Sequence, residues 1–360
     1  MPSSTYGGEI QFLGLLVLLG STLTSATYCD PVNALAAGSS FACGLTYGPG
    51  IECWGKNNMG QIEPPATAIA IEPKFVSTGD VQACAIGKDG DIVCWGQPGS
   101  NGQTGYDILT PPTGLNFKYV TVGYHFSCAI TAVTNEGICW GDDNNDRVSD
   151  VAALNSSGVR WNSLSAGTSH GCGVTIEGMV RCWGVNIDYK IYDGDNAVTK
   201  GGQCDVPTYY PGGVNYTGWE SVCAGGQFSC GLLKNGTIDC WGRGQHGQLD
   251  VPGGGSVSTI STTVYKEVQC AKNNACAVRI DGSSICWGYG GRNENDIPST
   301  IRFHALSTWF RHGCGIALNG TTMCWGDDRG FNELDVPTGI QVSLSPKHHP
   351  SSNHYPIYFR

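Results

Sequence analysis

The sequence predicts an all-β chain, a seven-bladed β-propeller with one intra-blade hairpin disulfide per repeat. Three observations predict it. A cysteine pair recurs seven times at nearly constant spacing, a Cys-Trp-Gly tripeptide closes every pair, and a Leu or Val stands eight residues before every first cysteine. The pairs are Cys43 with Cys53, Cys84 with Cys94, Cys128 with Cys139, Cys172 with Cys182, Cys230 with Cys240, Cys276 with Cys286, and Cys314 with Cys324. Nine residues separate the partners in six copies and ten in the third.

The stretch Cys230–Cys240 shows why this spacing suits a staple. Asn235-Gly236 is a turn dipeptide flanked by alternating apolar and polar residues, which reads as a hairpin. With Lys234-Asn235-Gly236 as a three-residue loop, Leu233 faces Thr237 and Cys230 falls opposite Cys240. Facing residues of an antiparallel pair have Cα atoms about 4.5–5.5 Å apart, within reach of a disulfide. Structural zinc usually takes cysteines two to four residues apart, and these pairs do not have that spacing. Each small loop is expected to contribute on the order of 2–3 kcal/mol.

Each copy opens with a strand carrying the Leu or Val: Leu35, Val76, Val120, Leu164, Val222, Val268 and Leu306. Glycine follows three residues later in five copies, and an aromatic often precedes the strand, as at Phe117, Trp161, Trp219, Tyr265 and Phe303. The hairpin supplies the second and third strands. A tryptophan at a fixed place in every sheet suits packing between neighbouring sheets. A fourth, shorter segment (Gly60-Gln61, Gly102-Gln103, 247–252, 334–337) is expected to close most copies, its Pro marking a strand end. Successive first cysteines stand 41, 44, 44, 58, 46 and 38 residues apart. Four short strands per about 40–45 residues is a blade period.

Composition agrees. Of 360 residues, 53 are Gly and only 14% are charged, which suits many tight turns. The formal net charge of −10 and the absence of a basic stripe argue against a nucleic-acid binder. Eighteen cysteines call for an oxidising compartment. Residues 1–26, with the apolar core 12–19 and Thr24-Ser25-Ala26, read as a secretory leader, although Glu9 precedes the core and no Lys or Arg does. The propeller is expected over 27–345 and a disordered tail over 346–360, with no membrane span or lipid anchor after the leader.

Phe126-Ser-Cys-Ala-Ile, Cys139-Trp-Gly and Gly247-Gln-Leu resemble the regulator of chromosome condensation repeat, over about residues 32–345. The resemblance implies a seven-bladed propeller. Copies with Cys-Gly-Leu and Cys-Trp-Gly look like secreted members and like the ectodomains of Crinkly-type plant receptor kinases. The family also includes a bacterial β-lactamase-inhibiting propeller. Its founding activity, guanine-nucleotide exchange on a nuclear GTPase, does not carry over to a chain with this cysteine content.

Four cysteines lie outside the pairs. Cys223 and Cys270 fall on opposite faces of equivalent strands in neighbouring blades, so a bond between Cys223 and Cys270 is expected to join blade five to blade six. Cys29 and Cys204 receive no assigned partner. Gly167-Thr-Ser169-His-Gly171 matches a nucleophile-elbow pattern, but that motif needs a helix after it and a strand is expected here. His125, His170 and His312 lie in different blades and read as packing residues. Asp142-Asp-Asn-Asn-Asp146 alternates oxygen donors but lacks the glycine and distal glutamate of a calcium loop, and reads as a solvated loop. No catalytic, cofactor or metal site is expected.

Asn155, Asn215, Asn235 and Asn319 begin N-glycosylation triplets. The segment 185–218 departs furthest from the repeat and holds Tyr189, Tyr192, Tyr209 and Tyr210, a composition common at contact surfaces. The expectation is a secreted, monomeric, non-catalytic module binding an extracellular protein or peptide. A carbohydrate or matrix binder is the first alternative, and an exchange factor the second.

Overall fold

The computed structural model describes residues 34–46, 48–97, 107–144, 146–187, 202–253, 263–338 and 340, and the backbone of 189–193 and 196–200. The expected leader, Cys29, the fourth segment expected at Gly102-Gln103, the end of the propeller at 342–345 and the tail 346–360 lie outside these residues. Seven antiparallel three-stranded sheets form the blades, at 35–55, 73–96, 117–141, 161–184, 219–242, 265–288 and 303–326. In each, the middle strand in sequence is also the middle strand of the sheet. The inner strand of blade one packs against those of blades two and seven, which closes the ring.

Blade five shows the plan, with an inner strand Trp219–Ala224, a middle strand Phe228–Leu233 and an outer strand Ile238–Gly242. Cys230 pairs with Cys240 in register, and Gly236 turns the hairpin at φ +83°. The Leu233 N–H donates to Thr237 O, so hydrogen-bonded pairs fall at alternate positions and Cys230 with Cys240 is a non-hydrogen-bonded pair. That is the closer of the two kinds of pair.

The same bond forms in every blade. Cys43 is bonded to Cys53, Cys84 to Cys94, Cys128 to Cys139, Cys172 to Cys182, Cys230 to Cys240, Cys276 to Cys286, and Cys314 to Cys324. Each spans a Cα–Cα distance of 4.0 Å, shorter than the separation expected from an average facing pair. The two partners differ in burial. The first cysteine of each pair is on the middle strand and fully buried. The second (Cys53, Cys94, Cys139, Cys182, Cys240, Cys286 or Cys324) is only half-buried, because the outer strand is the edge of its sheet.

Tryptophan links each blade to the one before it. Trp54, Trp95, Trp140, Trp183, Trp241, Trp287 and Trp325 are buried, and each indole N–H donates to a backbone carbonyl of the preceding blade's closing segment. The acceptors are Glu333, Gln61, Ile108, Arg147, Gln203, Gln248 and Glu294 in that order, at 2.9–3.2 Å. The bond from Trp54 to Glu333 O joins the first blade to the last.

These acceptors correct the fourth strand expected from the sequence. Among the described residues the closing segments are turns, and the blades have three strands. Positive-φ residues such as Gly60 and Gly247 and the nearby prolines break extended pairing, and the carbonyls go to indoles instead of a ladder. The glycine after each tryptophan also has a physical reason. Gly242 has φ +96°, and a Cβ there would lie 2.8 Å from Gln227 O. The next residue, Arg243, then donates its N–H to that same carbonyl.

The inner strands are tied around the channel by a second set of bonds. Hydroxyls of Ser77, Thr121, Ser165 and Ser307 accept the backbone N–H of Val122, Ala166, Ala224 and Ala37 in the following blade. Blade five carries Cys223 at the hydroxyl position, and Cys223 is bonded to Cys270 of blade six, with Cα atoms 5.4 Å apart. The disulfide replaces the hydroxyl link at that seam. In blade six a Glu267 carboxylate oxygen accepts from Leu306 N.

Two outcomes are expected. Trp95→Phe removes the N–H that Gln61 O accepts and should destabilise the fold by about 1–3 kcal/mol, read as a lower unfolding midpoint. Cys223→Ser with Cys270→Val recreates the Ser77–Val122 link of blades two and three. It should be more stable than Cys223→Ala with Cys270→Val by about 1 kcal/mol in the same assay.

Candidate functional site at the channel mouth

The ring has two unlike faces. The hairpin turns between middle and outer strands define one, the hairpin face. The loops between inner and middle strands, with the residues that follow each Trp-Gly, define the other, the loop face. Between them runs a channel of about 320 Å³ lined by all seven inner strands, including Ser77, Thr121, Ser165 and Ser307.

Glycines narrow the loop-face mouth. A Cβ on Gly79 would meet Gly123 O at 2.1 Å, so only glycine lets the backbones of blades two and three approach this closely. Ser39 N, Tyr124 N, Thr168 N and Gly226 N then donate to carbonyls of the next blade. The collar changes character at blades six and seven, where Ala271 and Trp309 replace glycine.

Lys272 reaches across this opening. Its Nζ lies 4.6 Å from the Phe310 ring centroid in blade seven and 5.8 Å from that of Tyr124 in blade three. Asp80 of blade two faces the same space. Burial lifts its carboxyl above the usual range, opposed by a hydrogen bond from Ser39 and by the charges of Lys272 and Lys56. Arg311 stacks on Phe310 at 4.8 Å and bridges to Asp327 at 3.3 Å. Tyr124, Lys272, Phe310 and Arg311 are all half-buried. Aromatic and arginine side chains on a rigid rim are the composition of interface hot spots. The sequence reading missed this cluster, because it converges from several blades and no single repeat contains it.

The insertion divides in two. The hairpin Tyr189–Asp193/Asn196–Lys200 leaves the loop-face end of blade four, and its base is closed by Asn186 Nδ2 donating to Asp205 Oδ1 at 2.8 Å. The side chains of Tyr189 and Tyr192 lie outside the described residues. Tyr209 and Tyr210 sit elsewhere, on the outer edge of blade five, where both hydroxyls donate to Asp239. Burial raises the carboxyl of Asp239, and the two tyrosine bonds oppose that rise. Tyr210 is 6% exposed and stacks on Tyr216 at 4.7 Å, so it packs, whereas Tyr209 is 59% exposed.

Other residues singled out from the sequence have structural partners. His170 is buried with Nε2 2.9 Å from Ser229 Oγ, and burial pulls its pKa down to about 3. His312, at the same position in blade seven, is pulled down to about 4, and burial also lowers His125. Gly167–Gly171 leads into the strand His170–Thr175, not into a helix. The loop expected to be solvated at 142–146 is not so throughout. Asp142 forms a buried ion pair with Arg147, because Arg147 is fixed between blades while its carbonyl holds Trp183. Asp143 accepts from the N–H groups of Val148 and Ser149 and so caps the helix Ser149–Ser156. Cys204 is the free cysteine among the described residues, and burial raises its thiol to about 12.

The glycosylation triplets differ in access. Asn215, Asn235 and Asn319 are exposed, the last two at hairpin tips, where their Oδ1 atoms accept from Thr237 N and Thr321 N. Asn155 is half-buried and bound at two points to Gly137, donating through Nδ2 at 2.6 Å and accepting through Oδ1 at 3.2 Å. A sugar on Nδ2 would take the amide position that faces Gly137.

The sequence model of the regulator of chromosome condensation (RCC1) repeat matches residues 219–248, which is blade five with its closing segment. The chain is an RCC1-like propeller. It is 25% identical to the mitochondrial RCC1 domain-containing protein RUG3 of Arabidopsis thaliana over 267 residues, 64% of this chain and 56% of that protein. To the Arabidopsis serine/threonine-protein kinase-like protein CCR2 it is 25% identical over 192 residues, 47% of this chain and 23% of that protein. The chain thus spans about half and about a quarter of these two relatives. The CRINKLY WD40 ectodomain of the Arabidopsis receptor kinase ACR4 shares the fold, with TM-score 0.57 at 21% identity over 86% of this chain and 98% of that one. The RCC1-like propeller here therefore resembles Crinkly ectodomains in architecture.

Two measurements follow. An unfolded histidine near pKa 6.5 binds a proton that folded His170 and His312 refuse down to pKa about 3 and 4. Their stabilising contribution is therefore full above about pH 6.5 and shrinks as pH falls through the window down to those folded values. Gln and Asn occupy this position in blades two and six, as Gln82 and Asn274. His170→Gln with His312→Gln should therefore flatten the loss of thermal stability between pH 7 and pH 5, by about 2 kcal/mol per histidine. Glycopeptide mapping of protein made in a eukaryotic secretory host should find sugar at Asn215, Asn235 and Asn319, and an unmodified Asn155.

Proposed function

We propose that this chain is an extracellular, monomeric, non-catalytic module that binds a protein or peptide through its loop face, with the hairpin half of the insertion at 185–218, residues 189–200, contributing. The observation that carries the reading is the contrast between the two faces. The hairpin tips hold the triplets at Asn235 and Asn319, while the loop face holds none of the four triplets and gathers Tyr124, Phe310, Lys272 and Arg311 around a rigid opening. Sugars on the hairpin face would leave the loop face as the protein-binding surface. Eight disulfides among the described residues support an oxidising compartment for the working protein. Resemblance to a receptor-kinase ectodomain supports the same setting.

The test is a bait of this chain displayed outside cells, with each captured partner cross-linked and the linkages mapped. Cross-links are expected on the inner-to-middle loops and the insertion. Deleting 188–201 is expected to preserve the fold, because Ile187 N lies 3.1 Å from where a Gly202 Cβ would be, and to weaken capture. Cross-links confined to the hairpin tips, with capture unchanged by the deletion, would contradict the reading.

A further inference from the structure

Resting on that reading, we infer that the loop-face mouth is a carboxylate site, built to receive an acidic peptide segment with Lys272 as its central cation. Two independent features point to this chemistry. The first is the state of Lys272. Among the described residues it forms no ion pair, and its ammonium lies over the rings of Phe310 and Tyr124. Neighbouring Arg311 is bridged to Asp327, and Lys56, the other cation acting on Asp80, lies over the Phe331 ring, so Lys272 is the unbridged cation seated between Phe310 and Tyr124. A cation held against ring faces in a recess keeps its capacity for charge-assisted hydrogen bonds while losing competing water.

The second feature is the wall below. The oxygens of Ser77, Thr121, Ser165 and Ser307 each accept a backbone N–H from the next blade and each line the channel. A hydroxyl whose oxygen is used as acceptor still has its proton to give. Mouth and wall therefore both present donors, which suits a ligand made of acceptors. The acidic lining residues Glu220 and Glu267 come from the first half of their strands, toward the hairpin-face end. The channel's 320 Å³ is within the range of small-ligand pockets and admits a short chain terminus.

Asp80 gives the inference a second sign. Its carboxylate shares the mouth with Lys272 and would repel an acidic guest. Lys272→Glu should lower the affinity for an acidic peptide at least tenfold, and Asp80→Asn should raise it several-fold. A merely structural role for either residue would not move binding in opposite directions.

The experiment selects random dodecapeptides with free C-termini against the full chain, then measures binding of synthetic winners. Their amidated forms distinguish a terminal carboxylate from Asp or Glu side chains. Winners are expected to be acidic, to weaken as salt rises from about 0.05 to 0.5 M, and to lose binding to Lys272→Glu but not to Lys88→Glu on the hairpin face. The thermal midpoint of each variant confirms that it is folded. Neutral or basic winners that still depend on Lys272 would overturn the carboxylate chemistry and leave the loop-face reading intact. Winners indifferent to Lys272 and lost in Lys88→Glu would overturn both, and a selection yielding no acidic binder overturns the inference.

Discussion

The Cys-Trp-Gly tripeptide is the constraint on which this structure depends. At seven places its three residues do three separate jobs at the end of an outer strand. The cysteine fixes hairpin register from a pair whose Cα atoms stand 4.0 Å apart. The indole fixes the neighbouring blade by donating to its carbonyl. The glycine lets the chain pass beneath the loop of its own blade at positive φ, where a side chain would strike backbone. Register, ring closure and loop position all follow from one repeated motif. The loop face is rigid because its loops are bonded to their own outer strands and, in blades one, three, four and five, to the next blade as well.

Rigidity of this kind bears on binding. A partner that docks on preorganised loops loses less conformational freedom than one that must order them. Departures from the repeat then become places for specific chemistry. Blade six offers Lys272, where the equivalent position is Thr168 in blade four and glycine in blade five, and blade seven offers Phe310 and Arg311. The scaffold is uniform while the rim is not.

Much of the architecture was legible in the sequence. Cysteine spacing and Asn-Gly turns give the hairpin register, and seven copies give the blade number. Spacing alone did not show that the second cysteines, from Cys53 in blade one to Cys324 in blade seven, sit half-buried on sheet edges. The offset of Cys223 and Cys270 on opposite faces gives a link between blades five and six. The fourth segment was misread because a Pro-bounded apolar run looks alike whether its carbonyls serve a strand or an indole. The bulge that shifts register after Trp161, Trp219, Tyr265 and Phe303 left no periodic trace. Candidate binding residues were harder to read. Tyrosine content drew attention to Tyr209 and Tyr210, which lie on the outer edge and hold Asp239. The mouth cluster is assembled across the ring by residues far apart in sequence, so spacing carries no signal for it.

The central claim, that oxidised facing pairs lock every hairpin and one further bond joins blades five and six, is tested most directly by disulfide mapping without reduction on protein recovered from culture medium. Among the described residues the account predicts eight linkages, seven within hairpins plus Cys223 to Cys270. Free thiols at the hairpin positions, or bonds that cross between hairpins, would contradict it.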